Sequence, residues 1–255
     1  APELSGLRFD TAQVGYVGVG LGADVGAIVA PFEPEVSAFV LAFGAGTGVD
    51  GWFASPEQSA LGDALLARLG RAGAVNDDAD PPALWPDVDV FRTLSDRASP
   101  FAYAGLLRRA PANALLLLAR DDENVANEAT EALAHALGAV VVGGEPRHEL
   151  KLQAVPLNPG EPLSANFAAE GGDVTRALLI AEPATHRALM LAQDAQRFEH
   201  PVARPFEPLD AEISVANPIE ALIAQIAFWF SSVRACPTAN AKLPCAASLQ
   251  APQAR

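Results

Sequence analysis

Val14-Gly15-Tyr16-Val17-Gly18-Val19-Gly20-Leu21-Gly22-Ala23-Asp24-Val25-Gly26-Ala27-Ile28-Val29-Ala30 is the stretch of sequence that decides the fold. It starts with β-prone apolar residues, continues with three glycines at alternate positions, and ends in small residues suited to a helix. This order predicts a strand, a sharp turn and a helix, as in an open α/β sheet. Two kinds of site use such a turn. They are the nucleophile elbow, written G-x-S-x-G, and the dinucleotide-binding turn, written G-x-G-x-x-G/A.

The glycines match the frame of a nucleophile elbow. Gly18 and Gly22 stand at its outer positions, but Gly20 occupies the centre, where the attacking serine belongs. The frame is therefore present and the nucleophile is missing.

The same residues also match the short dinucleotide pattern, from Gly18 to Ala23. That motif needs an acidic residue at the end of the next strand, where it binds the ribose hydroxyls. The next predicted strand, 36–43, runs into Gly44-Ala45-Gly46-Thr47, and no acid follows before Asp50. This disfavours a nucleotide site.

Composition narrows the function classes. Half of the 255 residues are hydrophobic and 19% are charged, which predicts a packed core in one large or two small domains. The net charge of −14 disfavours nucleic acid or an anionic membrane surface as partner. No uninterrupted apolar run reaches about 18 residues, so no membrane span is predicted.

Four strands and four helices are predicted along the chain. Their spacing predicts a mostly parallel sheet flanked by helices, with right-handed crossovers. Residues 73–112 are interpreted as a solvated connection or cap, and residues 143–173 as an insertion. The predicted strands are 14–18, 36–43, 113–119 and 175–181, and the predicted helices are 22–31, 55–71, 128–137 and one that opens at Asn217-Pro218.

Three predicted strands are followed by a residue that could belong to one site: Gly20, Asp122 and His186. The carboxyl ends of parallel strands meet at one edge of a sheet, so these turns are expected to converge. Nucleophile, acid, histidine is the chain order of α/β-hydrolases. From about residue 14 to 233 the chain resembles the C-terminal half of an α/β-hydrolase, and it is similar to secreted bacterial lipase- or esterase-like proteins.

Two further loops carry this resemblance. Asp122-Glu123-Asn124-Val125-Ala126 resembles the acid loop D-x-x-V-P, with alanine in the proline place, and Pro183-Ala184-Thr185-His186 stands where the histidine loop follows the last strand. The resemblance implies that Asp122 orients the imidazole, that His186 is the base and that the Leu21 amide is one oxyanion donor. Because Gly20 has no side chain, the resemblance also implies that covalent catalysis is lost.

Other interpretations of these residues stay open. Asp122 could be a turn residue, with Asp121 as the rival acid, and His186 could be an ordinary surface histidine. No metal site or cofactor is predicted, because the remaining histidines lack metal-ligand spacing with another His or Cys. These are His135, His148 and His200.

Three functions follow. The first is a degenerate hydrolase that binds a small acyl or ester ligand between Gly20 and His186. The second is an active ester hydrolase with an unidentified nucleophile, since Ser5, Ser37 and Thr47 are badly placed. The third is a nucleotide-binding module that uses Gly18 to Ala23.

The resemblance and the cysteines also predict partners and location. The family has several strands before the elbow, so a missing N-terminal half or a partner chain is expected to cover the edge of strand 14–18. Residues 1–233 are interpreted as the hydrolase-like domain and 234–255 as a tail. Cys236 and Cys245 in this tail are either disulfide-bonded or two free thiols. A disulfide would place the protein in an oxidising compartment, periplasmic, outer-membrane-associated or extracellular.

Overall fold

The computed structural model describes the greater part of the chain. The described residues are 14–44, 53, 59–70, 86–120, 122–142, 151–158, 161–181, 184, 186, 218–234 and 246–249. In chain order the strands and helices are β1 Val14–Val19, α1 Leu21–Val29, β2 Val36–Ala42, α2 Ser59–Arg68, α3 Pro86–Ser95, α4 Pro100–Arg109, β3 Asn113–Ala119, α5 Asn127–Leu137, β4 Val140–Val142, β5 Leu163–Ser164, β6 Phe167–Ala169, β7 Gly172–Val174, β8 Arg176–Ala181, α6 Pro218–Arg234 and β9 Ser248–Leu249.

A parallel sheet of five strands, in the order β1-β2-β3-β8-β4, forms the centre of the molecule. All seven residues of β3 are buried, as its unbroken apolar sequence predicts for a strand covered on both faces. The predicted fold class, a mostly parallel sheet flanked by helices, is confirmed.

Helices α1, α4 and α5 cover one face of the sheet. Ala23 and Ala27 on α1 are buried, and their small side chains let the helix backbone lie close to the strands. Helix α5 adds Leu133 and Leu137 to the same core and ends at Gly138, whose φ of 73° is the left-handed conformation typical of a helix C-terminus.

The opposite face is covered by α6 and by the segment that contains β9. Leu222 and Trp229 of α6 are buried there, which agrees with the prediction that this helix packs on the sheet. The apolar side chain next to Leu222, Ile223, is 53% exposed, because consecutive residues of a helix point about 100° apart. Leu249 is also buried, so part of the predicted tail packs on the core.

The two helices within 86–109 were not predicted. Helix α4 starts with Pro100 at its first turn, and it places Ala104 and Leu107, three residues apart, in the main core. Helix α3 instead buries Val88 against Leu66 of α2 in a separate small cluster. The sequence before these helices is rich in Asp and Pro, which favours loops and gave no indication of a helix. The end of the predicted connection is a helix, α4, that packs on the sheet beside α1 and α5.

Arg176, the first residue of β8, holds the ends of α4 and α5 against the sheet. Its fully buried guanidinium donates hydrogen bonds of 2.8–2.9 Å to the carbonyls of Leu107, Arg108, Ala110 and Leu137. Burial, and then the nearby charge of Arg108, lower the pKa of Arg176 to about 10, so it stays protonated at neutral pH. The cation thus satisfies carbonyls that the two helices leave unpaired at their ends.

Strand β1 lies at the edge of the sheet, and β2 is its one described neighbour. Val14 and Val17 are 39% and 52% exposed along this strand. Among the described helices, none has the length and apolar character needed to cross a membrane.

Several predictions concern residues outside those described. They are the disulfide between Cys236 and Cys245, the rival acid Asp121, the candidate nucleophiles Ser5 and Thr47, and the N-terminal turn predicted for the helix at 55–71.

Candidate active site

Gly20 forms the turn between β1 and α1. Its φ of 55° and ψ of −121° lie in a region that residues with a side chain rarely adopt. The Gly20 amide donates a 2.9 Å hydrogen bond to the carbonyl of Ala42 on β2, and its carbonyl accepts one of 2.9 Å from the amide of Ala23. The turn is therefore held on one side by the sheet and on the other by the helix that it starts.

The two outer glycines of the turn have different roles. A Cβ on Gly18 would lie 2.3 Å from the carbonyl oxygen of Gly22, so this position has no room for a side chain. A Cβ on Gly22 would meet nothing within 4 Å. The Tyr16 hydroxyl donates a 2.6 Å hydrogen bond to the same Gly22 carbonyl and so links β1 to the first turn of α1.

Asp122 lies in the loop that follows β3, and its side chain is 3% exposed. Its Oδ1 accepts hydrogen bonds from the amides of Asn124 and Val125, at 2.9 and 2.8 Å. These bonds make Asp122 a turn residue, as one of the open interpretations has it. They also fix the carboxylate so that both of its oxygens face His186.

His186 lies against Asp122 and above the glycine turn. Its Nδ1 is 3.0 Å from Oδ2 and 3.1 Å from Oδ1 of Asp122, and its side chain is 19% exposed. A carboxylate at Nδ1 favours the tautomer with the proton on that nitrogen, which leaves the lone pair on Nε2. A Cβ built on Gly20 would lie 3.1 Å from this Nε2. The structure thus brings Gly20, Asp122 and His186 together.

Phe43 is a residue of this site that the sequence reasoning missed. It follows β2 directly, is buried, and has a φ of 56°, which is unusual for an aromatic residue. Its amide donates a 2.9 Å hydrogen bond to the carbonyl of Leu117 on β3, and its ring centroid is 6.2 Å from that of His186. The one sequence signal was its place at the carboxyl end of the strand between β1 and β3.

Leu21 begins α1 directly after Gly20, so its amide belongs to the helix N-terminus, where backbone N–H groups have no helical acceptor. An amide in this position can donate to a carbonyl oxygen that becomes negatively charged. Within the described ranges, no group of three or more His, Cys, Asp or Glu side chains could hold a metal ion.

The strands and turns together decide the fold type. β1, β2, β3 and β8 are consecutive neighbours in the sheet, with the glycine turn after the first, the acid after the third and the histidine after the fourth. This is an α/β-hydrolase fold from the elbow strand onward. The predicted partial α/β-hydrolase fold is therefore confirmed.

Two solved structures have some similarity to this α/β-hydrolase-fold chain. A provisionally assigned non-heme bromoperoxidase from Mycobacterium tuberculosis is 20% identical, with a TM-score of 0.29 over 49% of this chain and 55% of its own. A hydrolase from Pseudomonas aeruginosa is 21% identical, with a TM-score of 0.27 over 50% of this chain and 54% of its own. This chain thus spans about half the length of either structure, and at such TM-scores neither informs its function.

The sequence matches no protein-family model, and no curated protein sequence matches it. The chemistry of the site is therefore derived from its own geometry.

Proposed function

We propose that this chain is a degenerate serine hydrolase of the lipase and esterase type, which keeps its acid–histidine pair but has lost the nucleophile. One observation carries the proposal: the Gly20 backbone has an elbow conformation, and its Cβ position lies 3.1 Å from Nε2 of a histidine bonded to Asp122. A hydroxymethyl group on Gly20 would supply the missing member of a triad once the imidazole shifts by a few tenths of an ångström, because the Cβ contact of 3.1 Å is a tight one. Without it no acyl-enzyme forms, and loss of a triad nucleophile lowers the rate by several orders of magnitude.

The ligand that we expect at this site is a small acyl or ester group. Its carbonyl oxygen would accept a hydrogen bond from the Leu21 amide at the start of α1, and its carbonyl carbon would face the place left by the missing hydroxyl. Phe43 supplies an apolar wall beside His186, 6.2 Å from ring to ring. An uncharged ligand also suits a chain with a net charge of −14, which would repel anionic ones.

An active hydrolase that uses another nucleophile is the second candidate. Of the candidate nucleophiles Ser5, Ser37 and Thr47, Ser37 is the one that the structure describes. It lies near the amino end of β2, five residues before Ala42. At about 3.3 Å per residue, this places it roughly 16 Å from the carboxyl end where His186 lies. That distance disfavours Ser37 as the group that His186 would activate.

The nucleotide-binding alternative fits poorly for a separate reason. A dinucleotide motif needs its second glycine open, so that the pyrophosphate can approach the backbone. At Gly20 the Nε2 of His186 lies 3.1 Å from the Cβ position, so a pyrophosphate group, unlike a single water molecule, would have to displace the imidazole to reach the backbone.

A partner and an exported location remain part of the proposal. The exposed edge of β1, with Val17 52% exposed, supports pairing with a further strand, either from an N-terminal half of the protein or from another chain. Export rests on Cys236 and Cys245 in a Pro-flanked stretch of the sequence.

A fluorophosphonate probe with intact-protein mass spectrometry tests the proposal. The probe forms a covalent adduct with an activated serine, so the wild-type chain is expected to give none. The Gly20→Ser variant, checked for folding by circular dichroism, is the positive control and is expected to react. A stoichiometric adduct on the folded wild-type protein would overturn the proposal, because it would reveal a working nucleophile.

A further inference from the structure

We propose that the Asp122–His186 pair still acts as a general base, and that it activates a water molecule to hydrolyse aryl esters directly, without an acyl-enzyme. This inference rests on the proposed function and extends it. It starts from the pairing of Nδ1 with the carboxylate of Asp122, at 3.0 Å, and from the direction of Nε2, which faces Gly20.

The geometry of the turn supports a water molecule in the nucleophile position. In a working triad, the serine hydroxyl lies within about 2.6–3.2 Å of the histidine nitrogen. At Gly20 the Cβ position is already 3.1 Å from Nε2, so this volume adjoins the base. A water oxygen at the place of the serine hydroxyl could donate to Nε2 and approach the same carbonyl carbon.

The reaction balances with water as the one co-reactant. Nε2 takes a proton from the water as its oxygen bonds to the ester carbonyl carbon, and the carbonyl π electrons move to the oxygen near the Leu21 amide. When the tetrahedral species collapses, the bond to the leaving oxygen breaks and that oxygen takes the proton from the imidazolium. A carboxylic acid and a phenol are released, while Asp122 remains ionised throughout.

The substrate class follows from the same groups. The leaving oxygen competes with the added water oxygen for expulsion from the tetrahedral species, so an ester whose leaving oxygen is weakly basic, as in a phenol, is favoured over an alkyl ester. Water is also a weaker nucleophile than an activated serine. Turnover is therefore expected with p-nitrophenyl acetate and not with the corresponding ethyl ester.

The experiment follows p-nitrophenolate release by the full chain under single- and multiple-turnover conditions. The wild type is expected to give linear release without a burst. His186→Gln is expected to lower kcat/KM by about 10²- to 10⁴-fold, the usual contribution of a general base. His135→Gln is the matched control, since this exposed histidine on α5 lies outside the site, and it is expected to match the wild type.

Mass spectrometry of the protein quenched during turnover separates the remaining outcomes. An unmodified protein together with His186-dependent release supports direct attack by water. An acetyl group on His186 would overturn the proposal, because the imidazole would then be the nucleophile, and so would equal rates for wild type and folded His186→Gln. A fluorophosphonate adduct on the wild type would instead overturn the proposed function itself, so the two failures are distinguishable.

Discussion

Replacing Asp122 with asparagine changes which nitrogen of His186 carries the proton. The Asn Oδ1 can still accept the hydrogen bonds from the amides of Asn124 and Val125, at 2.9 and 2.8 Å, so the loop keeps its shape. The amide NH₂ then stands where Oδ2 lies, 3.0 Å from Nδ1, and donates to that nitrogen. Nδ1 becomes the acceptor, the proton moves to Nε2, and the base that faces Gly20 is lost.

The Asp122→Asn prediction can be measured by the nitrogen-15 chemical shifts of His186, by the rate of ester hydrolysis and by the free energy of unfolding. Nitrogen-15 shifts of His186 should report Nδ1–H in the wild type and Nε2–H in Asp122→Asn. His186-dependent ester turnover should fall by about 10³- to 10⁴-fold, as when a triad histidine is held in the wrong tautomer. Replacement of one charge-assisted hydrogen bond by a neutral one should lower the free energy of unfolding by about 1–2 kcal/mol. Asp173→Asn, at an exposed position on β7, is the matched control. A folded Asp122→Asn protein with an unchanged tautomer and rate would refute the reasoning.

Three further predictions concern the frame around the site. Arg176→Met should lower the free energy of unfolding in urea by about 3–5 kcal/mol, because four backbone carbonyls lose their donor and two of these bonds are buried, and a change below about 1 kcal/mol would contradict this account. Gly18→Ala should lower the free energy of unfolding by about 3 kcal/mol, because its Cβ would lie 2.3 Å from a backbone oxygen. Gly22→Ala should change it by less than about 1 kcal/mol, because a Cβ at Gly22 meets nothing within 4 Å. Equal effects of the two substitutions would be inconsistent with the turn described. The exposed β1 edge is expected to pair with a second copy of the chain when no other strand covers it, so Val17→Lys should reduce self-association in sedimentation velocity, and an unchanged distribution would argue against that edge.

The sheet and the place of the site could be predicted from local sequence. The continuous apolar run of β3 predicts a strand that is buried on both faces of the sheet. The alternating glycines around Gly20 indicate a sharp turn, because an ordinary residue would strain at a φ of 55°. Asp122 and His186 can be predicted as site residues from their positions, because each follows a predicted core strand. The carboxyl ends of parallel strands meet at one edge of the sheet.

What could not be predicted depends on contacts between distant segments. The positive φ of Phe43 is not favoured by its residue type, and the hydrogen bond that accompanies it goes to Leu117, a residue far away in the chain. Arg176 looked like an ordinary strand residue, because its partners are the ends of two helices, 39 to 69 positions away in the chain. The α4 helix was missed since its core residues, Ala104 and Leu107, follow a stretch whose composition favours loops.

The central claim is that His186, oriented by Asp122, is aimed at the side-chain position of residue 20. The most direct measurement is the rate of fluorophosphonate labelling of Gly20→Ser compared with the double variant Gly20→Ser/His186→Gln, with folding of both verified by circular dichroism. Labelling of the introduced serine that falls by about 10²-fold or more when His186 is replaced is the predicted result. A folded Gly20→Ser protein that does not label, or that labels equally fast without the imidazole, would contradict it.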